Sequence, residues 1–387
     1  MLNNLTQAVE NLRSLPYKEG AYASRAWGHK LHSLCSYPSK IKPAIAHVLV
    51  KEFTNPGETI LDPFSGIGTI PLEACLQGRV GLASDLNPLA WWGSIAKTRF
   101  PPEEEVNKVM QEVSKLLENI NVNETLEKYP IDDEVAQFFE ERTRAEILIV
   151  RNFLIDSINS STGLRLAALC LVGTCCAHIL HGNRPYALSR RSHNVIPIPP
   201  KGDFEYKSLF KSLTEKVERT YKNVPNSQYR PGDAWQGSAF NLQIGEEVDC
   251  IITSPPFYGT TDFLRQNRVR LWFCGWDYEK QLHEKKNGDF LEFRKTMDDY
   301  SSILQQFYQV LKTDGLCILH MGVVKKRDMA KNVCEQLDKV KWKFIDIVYE
   351  DVTGLESHGR TDRGATHSHQ FLILQKVSIS TQTIEGH

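Results

Sequence analysis

Thr59-Ile60-Leu61-Asp62-Pro63-Phe64-Ser65-Gly66-Ile67-Gly68-Thr69 is the stretch whose reading decides the fold. Its apolar start, 59–61, predicts a buried strand that ends in an acid. A turn with two glycines then leads into a helical pattern over 70–77, closed by Gly78. Gly66 and Gly68 let the backbone pass close to a ligand where any Cβ would collide. Residues 80–84 predict a second strand, with Asp85 at its carboxyl end. An acid there, about 20 residues beyond the glycines, is placed to accept both hydroxyls of a ribose. The pattern suits a nucleoside and not a pyrophosphate. Pro71 stands where a dinucleotide fingerprint wants its third glycine, and no Gly-Lys-Ser/Thr completes a P-loop.

Far downstream, Val248-Asp249-Cys250-Ile251-Ile252-Thr253-Ser254-Pro255-Pro256-Phe257-Tyr258-Gly259 is a short β-rich run ending in a Ser-Pro-Pro-Phe turn. The two stretches together resemble the amino-group DNA methyltransferases that use S-adenosylmethionine, in the subset with Ser-Pro-Pro-Tyr/Phe. The first matches their Asp-Pro-Phe-x-Gly-x-Gly-Thr cofactor turn and the second their catalytic turn. The resemblance covers residues 25–95 and 230–376. It implies an α/β, class I methyltransferase (Rossmann-like) fold, a mostly parallel seven-stranded sheet that here carries a large helical insert. It implies S-adenosyl-L-methionine as cofactor, held by Asp62, Pro63, Phe64, Gly66, Gly68 and Thr69, with Asp85 and Leu86 at the second strand. Tyr37, Pro38 and Lys40, from a Tyr-Pro-x-Lys segment, would enclose the methionine end. Asp233, with Ala234, matches the third cofactor segment near the adenine amino group.

The catalytic turn has its own chemical logic. An exocyclic amine is a poor nucleophile because its lone pair is delocalised into the ring. Acceptors aimed at its two hydrogens localise that pair. The Ser254 hydroxyl and the Pro255 carbonyl can do this, since Pro255-Pro256 fixes the carbonyl's direction and removes competing N–H donors. Phe257 offers a flat face for an extruded base, worth about 1–3 kcal/mol. In the resembled family, serine at the first position goes most often with cytosine N4, and Asp or Asn with adenine N6. Adenine N6 stays open as the second target. So do an RNA amino-methyltransferase, which would share the cofactor turn and Glu73-Ala74, and a catalytically silent nucleic-acid-binding protein.

At 387 residues and net charge −1 the chain has no global field that draws it to nucleic acid. Contact with double-stranded DNA must use local patches. Arg184, Arg190, Arg191 and His193 lie in an aperiodic basic loop suited to phosphates and base edges. Arg265, Arg268 and Arg270 follow the catalytic turn, and Arg360 and Arg363 lie in a basic glycine-rich loop. Nine cysteines form no CxxC pair and no zinc spacing, so no metal is expected. The most apolar run, 166–180, is short for a membrane span and predicts a buried helix. No signal peptide is read at the start, so the expected location is cytoplasmic, in a prokaryotic cytosol or nucleoid.

The expected organisation is an arm and first half of the core over 1–100, a helical insert over 101–228, the second half over 229–377 and a tail over 378–387. The insert is the natural DNA-recognition lobe of a restriction-modification or related defence enzyme, with a cognate restriction endonuclease as a candidate partner. It separates the second and third cofactor segments, earlier than is usual in the resembled family.

Overall fold

Strands β1 (Thr59–Asp62) and β2 (Val80–Asp85) form as the opening stretch predicts, and in the computed structural model they sit inside a larger twisted sheet. The structure describes residues 2–14, 20–24, 27–182, 185–193, 197–257, 261–293, 298–324, 327–351, 356–357, 360–361 and 366–378. The other long strands are β3 (Asp233–Gln236), β4 (Val248–Thr253), β5 (Leu311–Val324), β6 (Trp342–Asp351) and β7 (Thr366–Lys376). Their order is β3-β2-β1-β4-β5-β7-β6. The first five run parallel. β7 lies antiparallel between β5 and β6, as expected for two strands joined without a crossover helix. A two-residue strand, Arg327–Asp328, also pairs with β5. This is the mostly parallel α/β sheet of seven long strands that the sequence implied.

The helices are α1 (Leu2–Arg13), α2 (Pro43–Phe53), α3 (Thr69–Leu76), α4 (Pro88–Thr98), α5 (Glu103–Leu117), α6 (Val122–Lys128) and α7 (Asp133–Ala136). After them come α8 (Glu141–Ser160), α9 (Gly163–Leu180), α10 (Leu209–Tyr221), α11 (Phe263–Phe273), α12 (Tyr278–Asn287), α13 (Asp299–Val310) and α14 (Met329–Glu335). Strand alternation divides the core. Ile60, Cys250, Ile252, Ile318 and Phe371 face α1 and α2. Leu61, Ile251, Cys317 and Leu319 face α13 and α14. α4 is started by Asn87, whose side chain accepts the N–H groups of Leu89 and Ala90, and by Pro88 at its first turn. α13 stops at Val310, because Leu311 already pairs with Val248 and opens β5.

The helices of the insert do not stand apart from the sheet. α5, α8, α9 and α10 share one apolar cluster with α4 and α11, reaching Ala83 of β2 and Ala234 of β3. α9 is apolar enough to cross a membrane by composition, with mean hydropathy 1.7, yet 78% of it is buried inside the protein. Gly173 lets it close on α4, since a Cβ there would stand 2.8 Å from the Trp92 ring. It is a core helix.

Candidate active-site crevice

β1 and β4 are neighbours, with Ile60 opposite Cys250 and Leu61 opposite Ile251. Their carboxyl ends therefore open at one edge. Asp62 ends β1 and Thr253 ends β4, and the Thr253 hydroxyl donates to Asp62 Oδ1 at 2.6 Å. The Phe64 N–H donates to the same oxygen at 3.2 Å. The glycine turn and Ser254-Pro255-Pro256-Phe257 thus leave the sheet from adjoining points. Burial pushes the Asp62 carboxyl up to about 7, against the pull of those two donors.

Gly66 (φ 49°) and Gly68 (φ 72°) both hold left-handed backbone. A Cβ on Gly68 would stand 2.8 Å from Ser94 Oγ, and one on Gly66 would meet the Tyr37 ring at 3.4 Å. The Gly66 N–H donates to Asp85 Oδ2 at 2.8 Å and the Asn87 N–H to Oδ1 at 2.9 Å. Each carboxylate oxygen keeps a lone pair for a further donor. Burial raises Asp85 to about 6. Beneath the turn, the fully buried Lys97 donates to the Ile67 carbonyl. Pro63 and Thr69 are buried, and Thr69 Oγ1 has no partner among the described residues. Phe64 packs against the apolar cluster of the α13 face, and Leu86 beside Phe290 and Phe293.

Tyr37 lies across the turn. Its ring stacks on Phe263 at 5.9 Å and its hydroxyl accepts from Asn87 Nδ2 at 3.1 Å. Pro38 beside it is half-buried. The segment is tied on three sides: the Ser39 and Thr261 hydroxyls lie 2.9 Å apart, the Ser36 N–H donates to His178 Nδ1, and Arg270 donates to the Ser36 carbonyl and hydroxyl. Residues 36–39 therefore bridge the glycine turn, the end of α9 and the chain beyond the catalytic turn.

Two expected cofactor residues are placed elsewhere. Lys40 donates to the His32 carbonyl at 2.6 Å. Asp233 enters β3 opposite Leu82, below the crevice, and its carboxylate takes Arg99 at 2.6 Å. The same offset places Ala234 opposite Ala83. The residue level with Asp85 is Gln236, whose amide donates to the Leu86 carbonyl. Asp233 thus stands at the entry of β3 and Gln236 at its exit, a distinction that only the pairing makes.

Three residues at the crevice carry no motif. Glu292, in a short 3₁₀ turn (Leu291–Phe293), is buried, interacts electrostatically with Asp85 and Tyr37, and has a carboxyl oxygen without a partner among the described residues. Burial raises it to about 8. Lys97 is the second. The third is His320, a polar interruption in the apolar run of β5, whose Nδ1 lies 2.9 Å from Ser254 Oγ. That interruption was a readable signal; Glu292 and Lys97 gave none.

The basic candidates divide. Arg270 is buried and spends its donors on Ala177 and Ser36, which corrects its expected place on a strand backbone. Arg268 pairs with Glu134. Arg190 donates to the carbonyls of Gly202 and Gln137 and lies over Phe204, so it braces its own loop. Arg191, His193 and Arg265 are exposed. The His193 carbonyl accepts from His181 Nε2, and Tyr186 stacks on His178, so this loop borders the Tyr37 segment. Arg360 lies in a two-residue strand, Arg360–Thr361. Arg184 and Arg363 lie outside the described residues.

Residues 32–117 match a family model described as UPF0020: RMKL-like, methyltransferase domain. The chain is similar to the Type II methyltransferase M.BsoBI of Geobacillus stearothermophilus, 23% identical over 318 residues, covering 73% of this chain and 59% of that protein. Among solved structures, TrmN from Thermus thermophilus aligns over 90% of this chain and 53% of its own, at TM-score 0.37 and 12% identity. The rRNA methyltransferase aviRa from Streptomyces viridochromogenes aligns over 92% and 96%, at TM-score 0.34 and 11% identity. The chain spans little more than half the length of M.BsoBI and of TrmN. The matched segment 32–117 contains the Tyr37 segment, the glycine turn and Asp85. The cofactor is S-adenosylmethionine, and the residues of this crevice fit it: a glycine cradle that a Cβ would narrow, an acid with spare lone pairs, and the Thr69 hydroxyl, unpartnered among the described residues.

Proposed function

We propose that this chain methylates an exocyclic amine of a base flipped out of double-stranded DNA, with cytosine N4 as the target. The observation that carries this reading is the Thr253–Asp62 hydrogen bond, which joins the root of the Ser-Pro-Pro-Phe turn to the root of the glycine turn. Bound S-adenosylmethionine supplies a methyl group on a cationic sulfur, which needs no further activation. The chain's task is alignment. Ser254 Oγ and the Pro255 carbonyl accept the two amine hydrogens and aim the nitrogen's lone pair at the methyl carbon, and Phe257 presents a face to the base. The Phe257 ring is held at 5.5 Å from His320 and 5.9 Å from His369, and Gly322 leaves room for it. Proton loss from the alkylated nitrogen to water completes the reaction. The exposed Arg191 and Arg265, on segments tied to the crevice rim, supply cations for the phosphates, and the insert provides the recognition surface.

Similarity to a protein named as a Type II methyltransferase supports DNA as the substrate and a restriction-modification setting, with a cognate endonuclease as candidate partner. The test is to express the protein in cells and digest their DNA and RNA separately to nucleosides. N4-methylcytosine in the DNA is the expected product. N6-methyladenine in DNA would move the target to adenine, a methylated RNA amine would replace the substrate, and no new nucleoside in either would overturn the proposal.

A further inference from the structure

Ser254 is the last polar group before the rigid prolines, and a hydroxyl on its own is a poorly aimed acceptor. It has one hydrogen and two lone pairs, and it rotates. To accept from an amine it must send its own hydrogen elsewhere. The structure has a place for it. β4 and β5 pair with Thr253 opposite Leu319, so Ser254 emerges beside His320, whose Nδ1 is 2.9 Å from the hydroxyl oxygen.

The surroundings of His320 are built, not incidental. Its side chain is 5% exposed, and its Nε2 has no partner among the described residues. It is walled by three rings: Phe257 at 5.5 Å, His369 at 4.8 Å and Phe371 at 5.1 Å between centroids. β7 places Phe371 opposite His320 and His369 opposite Gly322. Behind His369, Glu350 on β6 lies 3.5 Å from its Nδ1. At the root of the catalytic turn, Asp62 is already bound to Thr253. A half-satisfied polar ring in such a place is an uneconomical way to fill a core, where leucine would pack without cost. Burial, reinforced by His369, holds the ring far below the usual histidine range and hence neutral, the form with an acceptor nitrogen to offer.

We propose that His320 is a positioning residue for Ser254: its Nδ1 takes the hydroxyl hydrogen, leaving both serine lone pairs to face the crevice. The same ring packs at a tilt against Phe257, so one ring sets both the acceptor and the base platform. The inference rests on the amine chemistry proposed above.

The experiment measures methyl transfer from radiolabelled S-adenosylmethionine to unmodified genomic DNA by wild type, His320→Phe, His320→Asn, Ser254→Ala and the double variant Ser254→Ala/His320→Phe. Thermal unfolding and calorimetric cofactor binding are recorded for each. Phe keeps the ring and removes the acceptor, whereas Asn keeps a polar atom where Nδ1 lies. His320→Phe should lower kcat on the order of 10- to 100-fold with KM for DNA and cofactor binding little changed, and His320→Asn should recover most of that loss. The double variant should be no slower than Ser254→Ala alone, because the ring acts through the serine. A His320→Phe kcat within twofold of wild type would overturn the assignment. So would Asn failing as badly as Phe while folded, or a double variant slower by the product of the two losses. If wild type itself transfers no methyl group to the DNA, it is the proposed function that fails, before the variants are compared.

Discussion

At the scale of single residues, the crevice gathers carboxyls that burial makes harder to ionise. Asp62 rises from 3.8 to about 7 because its burial outweighs its two hydrogen bonds. Between those values the unfolded chain loses the proton while the folded chain retains it. The stabilisation is thus fully present below pH 3.8 and is lost as pH climbs to about 7, by on the order of 3–4 kcal/mol. Asp62→Asn keeps a carbonyl oxygen for the Thr253 and Phe64 donors and cannot ionise. The cofactor-free variant should therefore exceed wild type in urea midpoint at pH 8, with the gap closing toward pH 4; a gap that does not vary with pH would show that Asp62 ionises freely in the fold. Asp85 differs in having lone pairs left after it has accepted Gly66 and Asn87. Asp85→Asn retains one acceptor oxygen but gives up the anion and half its capacity. S-adenosylmethionine affinity should fall roughly 10- to 100-fold, the size of one or two hydrogen bonds to a charged group. Calorimetry returning wild-type affinity would remove the ribose from its role.

At the scale of elements, what could be read beforehand was whatever repeats locally. Apolar runs and glycine placement were enough to mark β1, β2 and β4 as strands, and the family resemblance implied that their sheet is mostly parallel. Pairing partners were less legible. Asp233 was assigned to the crevice because a Gly-Asp pair looks the same at either end of a strand, and only its register against Leu82 reveals which end it occupies. Contacts between distant helices were not legible at all. α9 shows no polar face because α4, α5, α8 and α10 surround it, and nothing in its run of apolar residues says so. Its crossing with α4 depends on Gly173 lying against Trp92. Gly173→Ala must move that ring or part the helices, at a cost of about 1–3 kcal/mol. Because one apolar cluster spans the insert and the sheet, chemical unfolding of this variant should remain a single transition with a lower midpoint. Two separated transitions, only one of them shifted, would mean that the insert folds as its own unit.

For the molecule as a whole, the question is how a chain of net charge −1 holds a polyanion. Attraction at long range is absent, so binding has to come from cations that are close to the strand and not already spent. Most of the arginines near the crevice are spent: Arg270 on Ser36 and Ala177, Arg190 on its own loop, Arg268 on Glu134. Those three hold the rim in shape. Arg191 and Arg265 remain exposed, one on the loop beside His178 and the other on the first turn of α11, next to the Thr261 that meets Ser39. Each phosphate neutralised releases counterions, so each such arginine adds nearly one to the slope of log affinity against log salt. The double variant Arg191→Ala/Arg265→Ala should lower that slope by about 2 and weaken DNA binding at low salt, with little change in thermal unfolding. Arg190→Ala should do the reverse, lowering the unfolding temperature by freeing Gly202 and Phe204 while leaving the slope nearly unchanged. A slope that follows Arg190 and ignores the exposed pair would move the nucleic-acid path to another face, and with it the direction from which a base could reach Ser254.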